Sequence, residues 1–186
     1  HIGRLWEQLA GDIFMANLDA PVWGWSTPHS AALLDFWLQF DPHLYFVLTC
    51  VTPLDALAHA IASPSDTRSP EVVLQQWLTA HQAMLRFHLR HPERSVLIGA
   101  EHAAQHPEAL IAHVDAQWAL GLDATRSNAL DHAPRALETD AVARHLARER
   151  LHSATEAGAL QHEIEASITA LVAEAASQAP AASVDA

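Results

Sequence analysis

Cysteine is nearly absent from this chain. Cys50 is the single one, and it lies inside the apolar run LYFVLTCV at residues 44–51. One thiol excludes an internal disulfide framework, and its apolar neighbours indicate a packing role in the core. The sequence also lacks a run of about 18–20 apolar residues, the length that a bilayer-spanning helix needs. No signal-peptide pattern is visible. We therefore expect a cytoplasmic protein without a membrane span.

Positive charge is the second scarce feature. Lys and Arg number 10 against 22 Asp and Glu, so the formal net charge is −12. A nucleic-acid surface needs basic residues that neutralise phosphates, and an anionic membrane surface attracts the same residues. The charge therefore argues against both kinds of partner, and a polyanionic ligand would need a local basic pocket. Residues 22–61 contain no Lys or Arg at all.

What the chain does contain is a strand-and-helix alternation. Half of its 186 residues are hydrophobic, enough for one core. The apolar runs at residues 44–51 and 95–99 predict strands buried on both faces, and residues 22–25 predict a third, short strand. Pro residues that follow Thr52, Ser69 and His106 predict helix starts. The sequence therefore predicts an α/β fold with a small parallel sheet flanked by helices.

The pattern changes in the last third of the chain. Residues 121–135 predict a loop, and residues 139–177 predict one long helix with an apolar stripe. We expect an α/β domain over residues 1–135, a helical appendage over 136–176 and a disordered tail over 177–186. The stripe could dock on the domain or mediate contact with a second copy or a partner protein.

The order of four segments resembles that of bacterial sulfotransferase-family proteins, many of which modify surface polysaccharides or lipid-linked glycans. The segments are VWGWSTPHS (22–30), LLDFW (33–37), LYFVLTCVTPLDALAHAI (44–61) and SVLIGAEHAAQHPEALIAHV (95–114). The resemblance spans about residues 15–120 and implies a three-layer fold of the P-loop, nucleotide-kinase-like type. It also implies a donor, phosphoadenosine phosphosulfate, held by a backbone loop, a Lys and an Arg.

The donor-binding residues of that family are substituted in this chain. The family's Lys, Asp and Arg of the first turn fall on Ser26, Thr27 and His29. The Arg for the donor's 3′-phosphate falls on Val51, and the Ser that assists it falls on His59 or its neighbour.

The turn-forming and helix-starting residues are kept instead. Pro28, Pro53 and Asp55 match the family's frame, whereas nothing before Trp23 resembles its Gly-rich phosphate loop. The chain therefore keeps the family's turn-forming and helix-starting residues but lacks its anion-binding residues. In particular, a valine cannot make the Arg–phosphate contact.

The resemblance thus implies a sulfotransferase-like domain of glycan modification with a structural or acceptor-binding role, not competent for sulfuryl transfer by itself and needing no cofactor. His29 is the candidate general base, and Trp23 and Trp25 are the candidate glycan contacts. One alternative is an active enzyme, dependent on phosphoadenosine phosphosulfate, whose donor loop lies outside this chain. Another is a helical oligomerisation or scaffold module.

The abundant histidines also raise the question of a metal site. His102 and His106 have i, i+4 spacing, but a zinc site needs a third ligand. Pro107 also predicts that a helix begins directly after His106, so the two histidines need not share one helical face. The pair His81 and His88 lies along one predicted helix. We interpret all four as solvated surface residues and expect no metal.

Overall fold

The computed structural model describes residues 4–26, 30–123, 141–151 and 155–178. Within them lie eight α-helices and two strands. The helices of the first two thirds are α1 (Arg4–Ala16), α2 (Leu34–Phe40), α3 (Pro53–Ala62), α4 (Pro70–Arg90), α5 (Ala100–Gln105) and α6 (Pro107–Trp118), and a 3-10 turn (Ser30–Leu33) precedes α2. The strands are β1 (Phe46–Cys50) and β2 (Ser95–Gly99); α7 (Ala141–Leu151) and α8 (Thr155–Gln178) follow. No described helix is both long and apolar enough to cross a bilayer.

The sheet is parallel, as expected, and it has two strands in the described part of the chain. Phe46 aligns with Ser95 and Cys50 with Gly99, and α3 and α4 form the connection between the strands. The third strand predicted at residues 22–25 is wrong, since that segment pairs with no strand. Its two indoles pack on neighbouring rings instead, which stabilises an irregular extended segment through side chains.

The two faces of β1 differ in exposure. Leu48 and Cys50 are buried, whereas Val47 is 43% exposed. The prediction that β1 is buried on both faces is therefore wrong, while Val96 and Leu97 of β2 are almost fully buried. Helices α4 and α8 cover the face that carries Leu48, and Trp118 of α6 lies on the opposite face.

The helices predicted as an appendage contribute to the main core. One long helix was predicted here. The structure describes two helices, α7 and α8, on either side of residues 152–154. Helix α7 packs on α3, and α8 packs on α4 and β2. Five apolar side chains on these helices are buried: Ala143, Ala147, Ala157, Leu160 and Ile164. The domain boundary at residue 135 and most of the predicted tail lie outside the described residues.

Candidate functional site at the carboxyl end of strand β1

The carboxyl end of β1 turns directly into helix α3, an arrangement that binds ligands in many open α/β sheets. Thr52 caps the helix: its Oγ1 accepts the Asp55 backbone N–H at 3.1 Å and donates to Asp55 Oδ2 at 2.7 Å. Arg144 of α7 donates to the other oxygen, Asp55 Oδ1, at 3.2 Å. The positive charge of Arg144 at this end of the sheet is thus paired with the Asp55 carboxylate.

A pair of side chains from α4 encloses the backbone of Val51. Trp77 Nε1–H donates to the Val51 carbonyl oxygen at 2.8 Å, and the Val51 N–H donates to His81 Nε2 at 3.3 Å. The two rings stack with their centroids 4.4 Å apart. Because residues four apart share one face of a helix, Trp77 and His81 can bond the two peptide groups that flank the Val51 Cα. We call this arrangement the Val51 clamp.

The clamp fixes the protonation state of His81. Its Nδ1 lies 2.9 Å from the Trp77 carbonyl oxygen, which can only accept, so Nδ1 carries the proton. Nε2 must then offer its lone pair to the Val51 N–H, so the ring is neutral. Burial lowers the pKa of His81 below its usual value, in agreement with that geometry.

The chemistry open to this site is limited by these contacts. The donors of the clamp are all engaged within the protein, and its rings carry no charge. Cys50, one residue away, is also unsuited to nucleophilic attack, because burial raises the pKa of its thiol to about 12. The end of β1 is therefore built as a closed, neutral junction between strand and helix.

Of the predicted donor-contact residues, the structure describes Ser26 and His59, and it places His59 away from the end of β1. Ser26 is exposed, while Thr27 and His29 lie outside the described residues. His59 is exposed in the last turn of α3. It follows Thr52 by seven positions, which corresponds to about 10 Å along a helix axis. His59 and the end of β1 are consequently at opposite ends of α3.

Trp23 and Trp25, the predicted glycan contacts, belong to an aromatic cluster. Their rings stack at a centroid distance of 5.4 Å, and both are partly exposed. Phe14 packs edge-on against Trp23 at 5.0 Å, and Trp37 packs against Trp25 at 4.8 Å. Trp37 is buried, and its indole N–H has no hydrogen-bond partner among the described residues. The cluster joins α1 and the following segment to α2.

Two buried histidines were missed from the sequence. His81 and His88 are 5% and 7% exposed, so their interpretation as solvated surface residues is wrong. Both lie on the buried stripe of α4 that includes Leu74, Trp77 and Leu85. Their helical spacing from these apolar residues was the available signal. His88 Nδ1 lies 2.9 Å from Ser95 Oγ, which itself donates to the His91 carbonyl oxygen at 2.8 Å.

The exposed histidines behave differently. The rings of His102 and His106 are 4.9 Å apart on the surface, and α6 begins at Pro107 as predicted. Among the residues that the structure describes, no group of three or more His, Cys, Asp or Glu side chains could hold a metal ion.

The chain was also compared with known proteins. No protein-family model, no curated protein and no solved structure matches it. Its function must therefore be inferred from its own residues and their geometry.

Proposed function

We propose that this chain is a sulfotransferase-like domain of glycan modification that binds an acceptor and does not transfer sulfuryl groups by itself. The order of its motifs supports this family and the three-layer, P-loop type of fold. The Val51 clamp is the observation that carries the proposal, because it occupies the position where the resemblance requires a donor-binding Arg.

The end of β1 opposes donor binding in three ways. The Val51 side chain packs against the core and offers no charge. The Val51 N–H and the Trp77 indole N–H, which could otherwise donate to a phosphate, are bonded to protein atoms. The Asp55 carboxylate already lies in the first turn of α3, where a phosphate would otherwise be favoured, and it is paired there with Arg144. A phosphate placed there would lack the compensation that burial demands.

The acceptor-binding part of the proposal depends on Trp23 and Trp25. Their partly exposed indoles form one stacked apolar surface, held from behind by Phe14 and Trp37. Rigid aromatic rings of this kind suit the C–H face of a sugar, because their contact area costs little conformational entropy. The surface therefore fits a glycan better than an anionic nucleotide.

Donor binding is tested by calorimetric titration of adenosine 3′,5′-bisphosphate into the chain. We expect no binding at millimolar ligand, a concentration that half fills a site with a binding free energy of about −4 kcal/mol. Micromolar binding would contradict the proposal and favour an active enzyme with further donor-binding parts elsewhere.

Acceptor binding is tested with β-linked glucose and N-acetylglucosamine oligosaccharides as probes. We expect saturable binding that Trp23→Ala weakens by at least about tenfold, the effect of one lost aromatic contact. Trp118→Ala is the matched control, because Trp118 is also a partly exposed, stacked indole but lies on α6. Equal losses in both variants, or no binding of either sugar, would contradict the acceptor role.

A further inference from the structure

The outer edge of β1 carries unpaired backbone groups. The Phe46 N–H donates to the Arg94 carbonyl oxygen at 2.8 Å, so Phe46 directs its peptide groups towards β2. Because bonding direction alternates along a strand, Leu48 and Cys50 also face β2. The N–H and C=O groups of Tyr45, Val47 and Thr49 then face away from β2. None of these groups is bonded by another of the described residues.

The open edge ends at the Val51 clamp. Val51 is the next residue whose groups face outwards, and its N–H and C=O are occupied by His81 and Trp77. The edge therefore offers the backbone groups of three alternate residues, and it ends at Val51, whose groups are already bonded. The side chains of Tyr45 and Val47 on the adjoining face are 37% and 43% exposed.

The edge lacks charged side chains and proline, two common protections against pairing. Natural edge strands are commonly guarded by charged side chains or by proline. Residues 44–52 contain neither. A two-stranded parallel sheet is also small, since most sheets have about four to six strands. An uncharged, unguarded edge beside exposed apolar side chains is suited to a further strand.

We propose that this edge pairs with β1 of a second copy of the chain, antiparallel about a two-fold axis through Val47. A two-fold contact requires a self-complementary surface, and a strand without charges satisfies this condition because no like charges meet. The product is a continuous four-stranded sheet with β1 of each copy at its centre. This surface is distinct from the Trp23–Trp25 surface, and the inference does not depend on the proposed function.

The clamp selects the register. With Val47 opposite the partner's Val47, Tyr45 lies opposite the partner's Thr49, and all three outward residues pair. A two-fold axis through Leu48 or Thr49 would require the groups of Val51, which the clamp already occupies. The register centred on Val47 therefore forms the most interchain hydrogen bonds and brings the exposed Val47 side chains together.

Charge substitutions at Val47 test both the dimer and its register. We expect a wild-type dimer in sedimentation equilibrium at about 100 μM protein. For Val47→Lys and for Val47→Glu, the dimer dissociation constant should rise by at least about tenfold, because like charges would then face each other. An equimolar mixture of the two variants should restore a dimer that native mass spectrometry identifies as mixed. Val72→Lys is the control, since Val72 of α4 is 44% exposed and lies outside the sheet.

Each contrary result has a defined meaning. A wild-type monomer at that concentration overturns the proposal and leaves the edge to a different polypeptide. A dimer that survives Val47→Lys places the contact elsewhere, for example on α8. Failure of the mixture to associate would show that the variants act through misfolding rather than through opposed charges. An equal effect of Val72→Lys would exclude edge pairing as the cause.

Discussion

At the scale of single residues, Val51 shows how the backbone N–H and C=O of a residue at a strand end can both be hydrogen-bonded without charged partners. Its N–H and C=O point away from β2, so the sheet cannot pair them. The indole and imidazole of α4 supply one donor and one acceptor at matching positions. A buried peptide group without a partner costs free energy comparable to a lost hydrogen bond, so the clamp stabilises the junction.

Removal of the indole donor tests that contribution. Trp77→Phe keeps an aromatic ring on the stripe but leaves the Val51 carbonyl without its donor. We expect the free energy of unfolding to fall by about 1–3 kcal/mol in urea denaturation. Trp118→Phe removes a similar bond, from Nε1 to the Glu93 carbonyl oxygen at 3.1 Å, but at an exposed site where water can replace it. Its expected loss is smaller, and equal losses would contradict the importance of the clamp.

The buried histidines predict a pH dependence of stability. Burial lowers the pKa of His81 and His88 from 6.5, so the unfolded chain takes up protons that the folded chain does not. The contribution of these histidines to the free energy of unfolding should therefore be complete above about pH 6.5 and decrease as the pH falls below that value. We expect His81→Gln to reduce this dependence in urea unfolding between about pH 5 and pH 7.5. An unaltered slope in His81→Gln would contradict the assignment.

At the scale of elements, local sequence signals predicted helix starts well and sheet environment poorly. Thr52 and Ser69 cap α3 and α4 as expected, because a cap depends on residues within one turn. The exposed face of β1 could not be predicted, since an apolar strand does not reveal whether a neighbour covers it. The segment at Trp23 was similarly misassigned, because its alternating rings suit either a strand or an aromatic cluster.

The candidate site shows the same contrast between local features, which the sequence predicts, and long-range contacts, which it does not. The turn from β1 into α3 was predicted through Pro53 and Asp55, whereas the clamp residues come from α4, 26 and 30 positions from Val51. No local pattern links such distant residues. Only the buried stripe of α4 could have drawn attention to His81, and nothing in the sequence indicated that it would reach β1.

The cap of α3 gives a prediction at this scale. Thr52→Ala removes the oxygen that accepts the Asp55 N–H and the hydroxyl that donates to Asp55. We expect a loss of about 1–2 kcal/mol in the free energy of unfolding. Thr52→Ser keeps the hydroxyl and should lie close to wild type. A full loss in Thr52→Ser would instead assign the effect to the threonine methyl group and its packing.

At the scale of the whole molecule, the helices after residue 140 bear on how the chain folds. Leu160 and Ile164 of α8 belong to the same buried cluster as Leu48 of β1 and Trp77 of α4. A core shared in this way couples the elements, because each loses buried area when the other unfolds. We therefore expect the strands and α8 to unfold in one transition.

Ile164→Ala tests that coupling with a built-in reporter. All six tryptophans lie at or before residue 118, so their fluorescence reports on the part of the chain that precedes α7. If α8 shares the core, this truncation should lower the free energy of unfolding seen by tryptophan fluorescence by about 2–5 kcal/mol. Circular dichroism, which also detects α8, should show a coincident midpoint. Glu163→Ala, at the exposed neighbouring position, should shift neither signal appreciably. A fluorescence transition that Ile164→Ala leaves unchanged would show that α8 folds independently of the sheet.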